Sequence, residues 1–226
     1  MRLNLTQLIQ TYIYTLHQRY AGENMTDDAA LVEASGGQVQ AIAGNRENSK
    51  ITTMQDLEQA NRLMASQASV RVGHGYDVHA FQDTKGELRL CGVAVPHDRM
   101  LAGHSDADVG LHALVDALLG AIGEGDIGEH FPPSDPQWKG KNSAHFVQYA
   151  VEQIASKGGC IHHVDITLLA EAPKIGPYKT QMKERVAVLL GVQNSQVNIK
   201  ATTTEKLGFV GREEGIAAHA VATVEI

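Results

Sequence analysis

Asp77-Val78-His79, followed 33 residues later by His112, is the part of this chain whose residue types and spacing best suit chemistry. An Asp and a His two apart on a strand point to the same face. A third ligand from a distant helix would close three corners of a tetrahedron and leave one for water or substrate, the pattern of a catalytic zinc site. The D-x-H pattern alone is common by chance, and a lone helical His is more often a hydrogen-bonded core residue than a ligand. Three further polar, glycine-flanked segments add weight: His104-Ser105-Asp106-Ala107-Asp108, Asp126-Ile127-Gly128, and the run from Ala201 to Phe209. Such segments suit a site that handles phosphates and metals.

Each of these has a plainer reading beside the chemical one. Asp108 and Asp116 sit four residues either side of His112, on one helical face. Either could orient the imidazole, as metal-bound histidines require; capping is favoured for Asp108, and Asp116 stays open. His104-Ser105 would lie just ahead of a helix, where free N–H groups and the dipole attract anions; Ser105 as a cap needs no ligand. Thr202, Thr203 and Thr204 could bind phosphate oxygens while Glu205 holds Mg²⁺, yet a Thr-rich strand end is also ordinary. Arg212-Glu213-Glu214-Gly215 reads as a charged loop.

The elements that must position these residues follow from periodicity. From Arg71 onward the chain alternates strands and helices. Val70–Tyr76, Leu88–Val95, Val164–Ala170, Val197–Thr202 and Ala218–Ile226 read as strands. Leu111, Leu114, Val115, Leu118, Leu119 and Ile122 recur at helical spacing, predicting a helix over 106–122 with Ser105 as its cap. Phe146 to Ile154, stopped by Gly158-Gly159, and Met182 to Leu190 before Gly191 predict two more. The fold class is α/β of the α+β type: one mainly antiparallel or mixed sheet of about four strands, covered by helices on one face. Ahead of it, Leu5, Leu8, Ile9, Ile13 and Leu16 predict a helix, a polar middle follows, and Thr53–Ala65 forms a short helix with Thr53 and Asp56 as a capping box. These first 66 residues lie near the lower limit for an independent core, and 67–70 read as a linker.

Composition narrows the partners. The chain has 226 residues, an apolar share of 43% and a net charge of −7. Nucleic acid demands a basic footprint that this charge does not offer. An acidic protein can still take a phosphorylated small molecule if metal ions supply the positive charge. Two cysteines are too few for a disulfide framework, and no long apolar run marks a signal peptide or membrane helix. The expectation is a cytoplasmic protein without a membrane partner.

Taken together, the motifs from Arg71 to Ile226 resemble the 2-C-methyl-D-erythritol 2,4-cyclodiphosphate synthase family of the non-mevalonate isoprenoid pathway. They are Gly73-His74-Gly75-Tyr76-Asp77-Val78-His79, His104 to Asp108 with His112, Asp126-Ile127-Gly128, Ala172-Pro173-Lys174, and Ala201 to Phe209 with Gly211-Arg212. The resemblance implies metal-dependent cyclisation of a cytidine diphosphate-methylerythritol 2-phosphate with release of CMP. It implies that Asp77, His79 and His112 hold one Zn²⁺, that Glu205 holds Mg²⁺ or Mn²⁺ with the substrate, and that His104 and Thr203 stabilise the transition state. Ser105 would touch substrate; Asp126, Ile127, Gly128, Phe131 and Asp135 would hold the erythritol part. Ala170, Ala172, Pro173, Lys174, Thr202 and Thr204 would line the cytidine diphosphate pocket. It also implies a homotrimer with sites between subunits and an axial cavity for an isoprenoid diphosphate near Phe209, Arg212 and Glu214. Pro133 departs from the family, which often has Asp after Phe-Pro; a changed loop with activity retained is expected.

The first 66 residues resemble the C-terminal tail of 2-C-methyl-D-erythritol 4-phosphate cytidylyltransferase, on Thr26-Asp27-Asp28-Ala29-Ala30 and Ser49-Lys50-Ile51-Thr52-Thr53 with Asp56-Leu57. That family's glycine-rich nucleotide loop and most of its catalytic residues are missing from this stretch. An incomplete remnant without transferase activity is expected.

Overall fold

The structure, a computed structural model, describes residues 5–43, 50–65 and 69–226. Two units divide the chain, Met1–Arg62 and Leu63–Ile226. Ser49 of the tail motif and residues 67 and 68 of the expected linker lie outside the described residues.

The first unit holds α1 (Leu5–Arg19), α2 (Asp28–Ala34) and all but the end of α3 (Met54–Ala65). The sequence reading missed α2, a helix of only seven residues. Asp27 starts it by accepting the Ala30 N–H at 2.9 Å. The Thr53–Asp56 capping box is present in both directions, at 3.2 and 2.8 Å. Hydrogen bonds from the Thr52 and Thr53 backbone hold the Asp56 carboxyl down to about 2. Among this unit's described residues only Leu16 and Leu31 are buried apolar side chains.

The second unit begins with β1 (Val70–Gln82), β2 (Leu88–Leu90), β3 (Val93–Val95) and β4 (Met100–Leu101). Then come α4 (Val109–Ile122), α5 (Ile127–His130), α6 (Ala144–Ser156), β5 (Cys160–Leu169), α7 (Lys179–Leu190), β6 (Val197–Thr202), α8 (Gly208–Gly211) and β7 (Gly215–Glu225). The main sheet runs β4-β1-β7-β5-β6, with only β5 and β6 parallel. Its fifth strand, beyond the expected four, is the two-residue edge β4. Helices α4, α6 and α7 cover one face.

The expected strand Leu88–Val95 is instead a hairpin. The chain reverses at Cys91 and Gly92, whose φ values of 50° and 77° are those of a tight two-residue turn. The 106–122 helix starts later, at Val109, and its cap is Asp108 rather than Ser105. Asp108 is fully buried because its carboxylate also accepts the Cys91 and Gly92 N–H groups, at 2.7 and 2.5 Å. One side chain thus closes the hairpin turn and starts the helix.

Helix α4 is buried nearly all round, since the sheet takes one side and α6 the other. Leu111, Leu114, Leu118 and Leu119 are fully buried, each contributing about 1.5–3 kcal/mol. Only His112, Asp116 and Gly120 break the apolar surface. The sheet side of the contact is built from small residues. A Cβ at Gly75 would lie 1.9 Å from the Ala113 carbonyl oxygen, and one at Gly73 1.9 Å from that of Ala117. The helix therefore rests on bare backbone, which brings His112 down to β1. No helix of the described residues is long and apolar enough to cross a membrane.

Candidate active site

Residues 73, 75, 77 and 79 of β1 share one face, and the two glycines place that face under α4. Asp77 and His79 are therefore aimed at His112. Asp77 Oδ2 lies 3.0 Å from His79 Nε2 and 3.1 Å from His112 Nδ1, and the two nitrogens are 3.0 Å apart. All three side chains are largely but not fully covered, at 25%, 17% and 12% exposure. Burial pushes the Asp77 carboxyl up, but hydrogen bonds and charge from His112 and His79 win and hold it well below the carboxylate range. For His79, burial pulls down and the Asp77 carboxylate more than reverses it. Two imidazole lone pairs and a carboxylate facing one point suit a divalent transition-metal ion, which satisfies all three donors at once. The residues fit the metal that the sequence implies.

The far side of His112 is braced. Its Nε2 lies 2.9 Å from Ser143 Oγ and 3.0 Å from Ser105 Oγ. Ser143 is fully buried at the head of α6, yet its hydroxyl does not cap that helix. It donates instead to Asp106, whose other oxygen accepts the Ser143 N–H at 3.1 Å. With its proton given to Asp106, the Ser143 oxygen accepts from His112 Nε2–H. That leaves the Nδ1 lone pair for the metal, a tautomer lock of the kind metal-bound histidines use. Ser143→Ala is expected to lower metal affinity ~10–100-fold in a chelator competition, with the fold unchanged. Unaltered affinity would mean that Ser105 alone holds the ring.

Sequence reasoning did not find Ser143, because a Ser before a helix looks like an ordinary cap. The open question about Asp116 resolves differently: its carboxylate accepts the Ile127 N–H at 2.8 Å and anchors α5. His104 and Ser105 do not lie directly at the helix start, where the sequence placed them. Asp106, Ala107 and Asp108 intervene, and Asp108 already takes the Leu111 N–H at 3.1 Å. His104 is exposed beside the metal ligands' brace rather than on the helix axis.

The ends of β5 and β6 form a second constellation. Ala170 N–H bonds Thr202 O at 3.0 Å, and the loop passes through a cis Ala172-Pro173 bond. A cavity of about 400 Å³ opens here, lined by Ala170, Pro173, Lys174, Ala201, Thr202 and Thr203 among others. Glu171, whose turn-holding role the sequence did not reveal, accepts the N–H groups of Thr204 and Lys206 at 3.1 and 3.2 Å. It holds a turn in which Glu205 and Lys206 take φ of 51° and 63°, sparsely populated for such residues. Thr203 donates to the Glu205 carboxylate at 3.0 Å.

Asp126 caps α5 through the Glu129 N–H at 3.0 Å, with Ile127 and Gly128 in that turn. Phe131 is buried among Trp138, Phe146 and Tyr149. Asp135 caps the next short turn, after Pro132 and Pro133. Phe209 borders a pocket of about 190 Å³ with Tyr76 and His219. Arg212 forms a two-point ion pair with Glu214, at 2.8 and 3.0 Å. The metal ligands on β1 and the cavity at β6 lie at the same end of the sheet, because β1 is antiparallel to β7 and β7 to β5. Three strand spacings, ~14 Å, separate those two strands within one chain.

Residues 6–66 match the profile of 2-C-methyl-D-erythritol 4-phosphate cytidylyltransferase. Relatives include a bifunctional enzyme IspD/IspF of Paramagnetospirillum magneticum, 52% identical over 94% of this chain and 55% of its own length. Another, from Rhodopseudomonas palustris, is 48% identical over the whole chain and 58% of its own length. This chain thus spans little more than half of the curated relatives it matches. Among solved structures, the bifunctional IspDF of Campylobacter jejuni is 34% identical with a TM-score of 0.67, covering 93% of this chain and 57% of that one. The CDP complex of IspF from Plasmodium falciparum is 34% identical with a TM-score of 0.61, covering 69% and 96%. The strands, the helices from α4 onward, and Asp77, His79 and His112 all fall within residues 70–225, which match the profile of the YgbB family over more than half the chain: the chain belongs to the YgbB family.

Proposed function

We propose that residues 71–226 form a 2-C-methyl-D-erythritol 2,4-cyclodiphosphate synthase. The convergence of Asp77, His79 and His112 at the sheet end that also carries the Lys174–Thr203 cavity supports this most directly, and IspF relatives are described as CDP complexes. In the reaction, a 2-phosphate oxygen bonds the β-phosphorus of the cytidine diphosphate arm. The bond from that phosphorus to the bridging oxygen breaks, and its electron pair leaves with CMP.

Asp77, His79 and His112 would hold Zn²⁺, and Glu205 would hold Mg²⁺ or Mn²⁺ with the substrate. When bound, these ions draw charge from phosphate oxygens that otherwise repel one another. The chain's own residues do the rest. Ala170, Ala172, Pro173, Lys174, Thr202 and Thr204 seat the nucleotide. Asp126, Ile127, Gly128, Phe131 and Asp135 fix the erythritol part. Ser105, His104 and Thr203 donate to phosphate oxygens as charge shifts. Nucleophile and electrophile share one molecule, so alignment supplies most of the acceleration and no side-chain nucleophile is required.

The ~14 Å between β1 and β6 favours a site completed by a second copy, and the family resemblance implies that the copies form a homotrimer. The sheet face without helices carries exposed Val72, Tyr76, Val78 and Val221, apolar area suited to burial between copies. Phe209, Arg212 and Glu214 would then face an axial cavity that takes an isoprenoid diphosphate. Two free cysteines fit a cytoplasmic setting. Residues 1–66 are read as a segment with no cytidylyltransferase activity by itself.

Phosphorus NMR of the chain with the cytidine diphosphate-methylerythritol 2-phosphate, Zn²⁺ and Mg²⁺ tests this reading. CMP with two coupled cyclic-diphosphate resonances is expected. CMP with only linear phosphates would make the chain a hydrolase, and an unchanged spectrum would make it a binding module.

A further inference from the structure

At the other end of the sheet, Cys160, His162 and Glu225 bring a thiol, an imidazole and a carboxylate together. Their sulfur, nitrogen and oxygen donors lie within 4.8 Å of one another, a convergence of three ligand atoms matched among the described residues only by Asp77, His79 and His112. His162 Nε2 is 3.0 Å from Glu225 Oε2 and 3.9 Å from Cys160 Sγ. Strand pairing alone would not produce this. Cys160 faces Glu225 across β5 and β7, but the register slips between Ile161 and His163, leaving His162 as the extra residue of a bulge. The Gln196 amide pins that bulge, donating to the carbonyls of Ile161 and His162 at 3.0 Å each. Bulges of this kind re-aim a side chain, here toward the neighbouring strand's carboxylate.

A nucleophilic relay would use both ring nitrogens, one for the thiol and one for the acid. Here thiol and carboxylate converge on the same nitrogen, so the ring cannot pass a proton between them. Convergence on one point is what a metal requires. Tetrahedral Zn²⁺, with Zn–S of ~2.3 Å and Zn–N of ~2.0–2.1 Å, sets S and N ~3.6 Å apart, within a few tenths of the spacing found. Thiolate and imidazole select Zn²⁺ or Co²⁺ over Mg²⁺. A cavity of about 730 Å³, bordered by Cys160, His162, Gly191 and Gln193, adjoins the group and leaves room for a fourth, exchangeable ligand.

We propose that Cys160, His162 and Glu225 form a second zinc site, which clamps β5 to β7. Binding replaces the thiol proton with the metal and releases that proton to solvent. Asp77 is level with Ala218, seven residues from Glu225 along β7, or ~23 Å at ~3.3 Å per residue. The two centres are therefore independent, and this one requires nothing of the proposed cyclase.

Cobalt separates them, because the Asp77 centre has no sulfur. The intact chain, kept reduced with a phosphine, is titrated with Co²⁺ and its near-ultraviolet spectrum recorded. A thiolate-to-cobalt band is expected in the wild type and undiminished in His112→Ala. It should vanish in Cys160→Ser, and in His162→Ala and Glu225→Gln it should need ~10-fold or more additional Co²⁺. Cyclase activity should survive Cys160→Ser. No band in the wild type, or a band that persists in Cys160→Ser, overturns the site whatever the cyclase assay returns.

Discussion

If the proposed cyclase site is right, His112→Ala removes one equivalent of metal and lowers turnover in the proposed cyclisation by at least ~10²–10³-fold, the scale on which single stabilising contacts to a developing charge operate. Its Nδ1 is one of the three proposed donors, and Asp77 and His79 alone would leave the ion two protein ligands. The loss should be one of function rather than fold. His112 packs beside Phe146, with ring centroids 6.1 Å apart, on a helix whose leucines stay buried without it. Metal analysis after dialysis, turnover by phosphorus NMR and particle size together test this. Metal and turnover should fall together while the assembly keeps its mass. Wild-type metal content in the variant would remove His112 from the ligand set.

The clustering of Asp77, His79 and His112 was legible because strand and helix periods fix which side chains share a face. Asp77 and His79 needed only the two-residue repeat, and His112 only the helical pattern around it. What brings them together was less visible. Gly73 and Gly75 read as part of a motif, whereas their role is to let α4 touch backbone. The start of α4 was misplaced because Ser105 and Asp108 mimic a capping box. The actual cap is chosen by a tertiary contact, the buried bonds from Asp108 to the Cys91–Gly92 turn. That turn was hidden inside an apolar run, since Cys is no turn signal. Ser143 and Glu171 escaped for the same reason. Their partners, His112 and Thr204, lie 31 and 33 residues away in sequence, and local pattern carries no information over that range.

Gly75→Ala should show how closely the fold and the site are tied. The new Cβ would fall 1.9 Å from the Ala113 carbonyl and 2.8 Å from the Ala117 nitrogen, both backbone atoms that no rotamer change can move. Helix α4 must retreat by roughly 1.4 Å to restore a normal C···O contact of ~3.3 Å. Overpacking of this kind costs ~1–3 kcal/mol or more. The retreat also carries away His112, the residue before Ala113, from Asp77, two residues after Gly75. A misplacement of ~1 Å can lower turnover ~10²-fold, so metal affinity and activity should fall even at temperatures where the variant stays folded. Gly120 provides the control on the same helix. Nothing lies within 4 Å of a Cβ there, and replacing a helical Gly by Ala stabilises by ~0.5–1 kcal/mol. Urea unfolding and chelator competition on both variants decide the matter. If Gly75→Ala unfolds and binds metal like the wild type, close backbone contact is not what positions His112, and the brace from Ser143 and Asp106 must suffice.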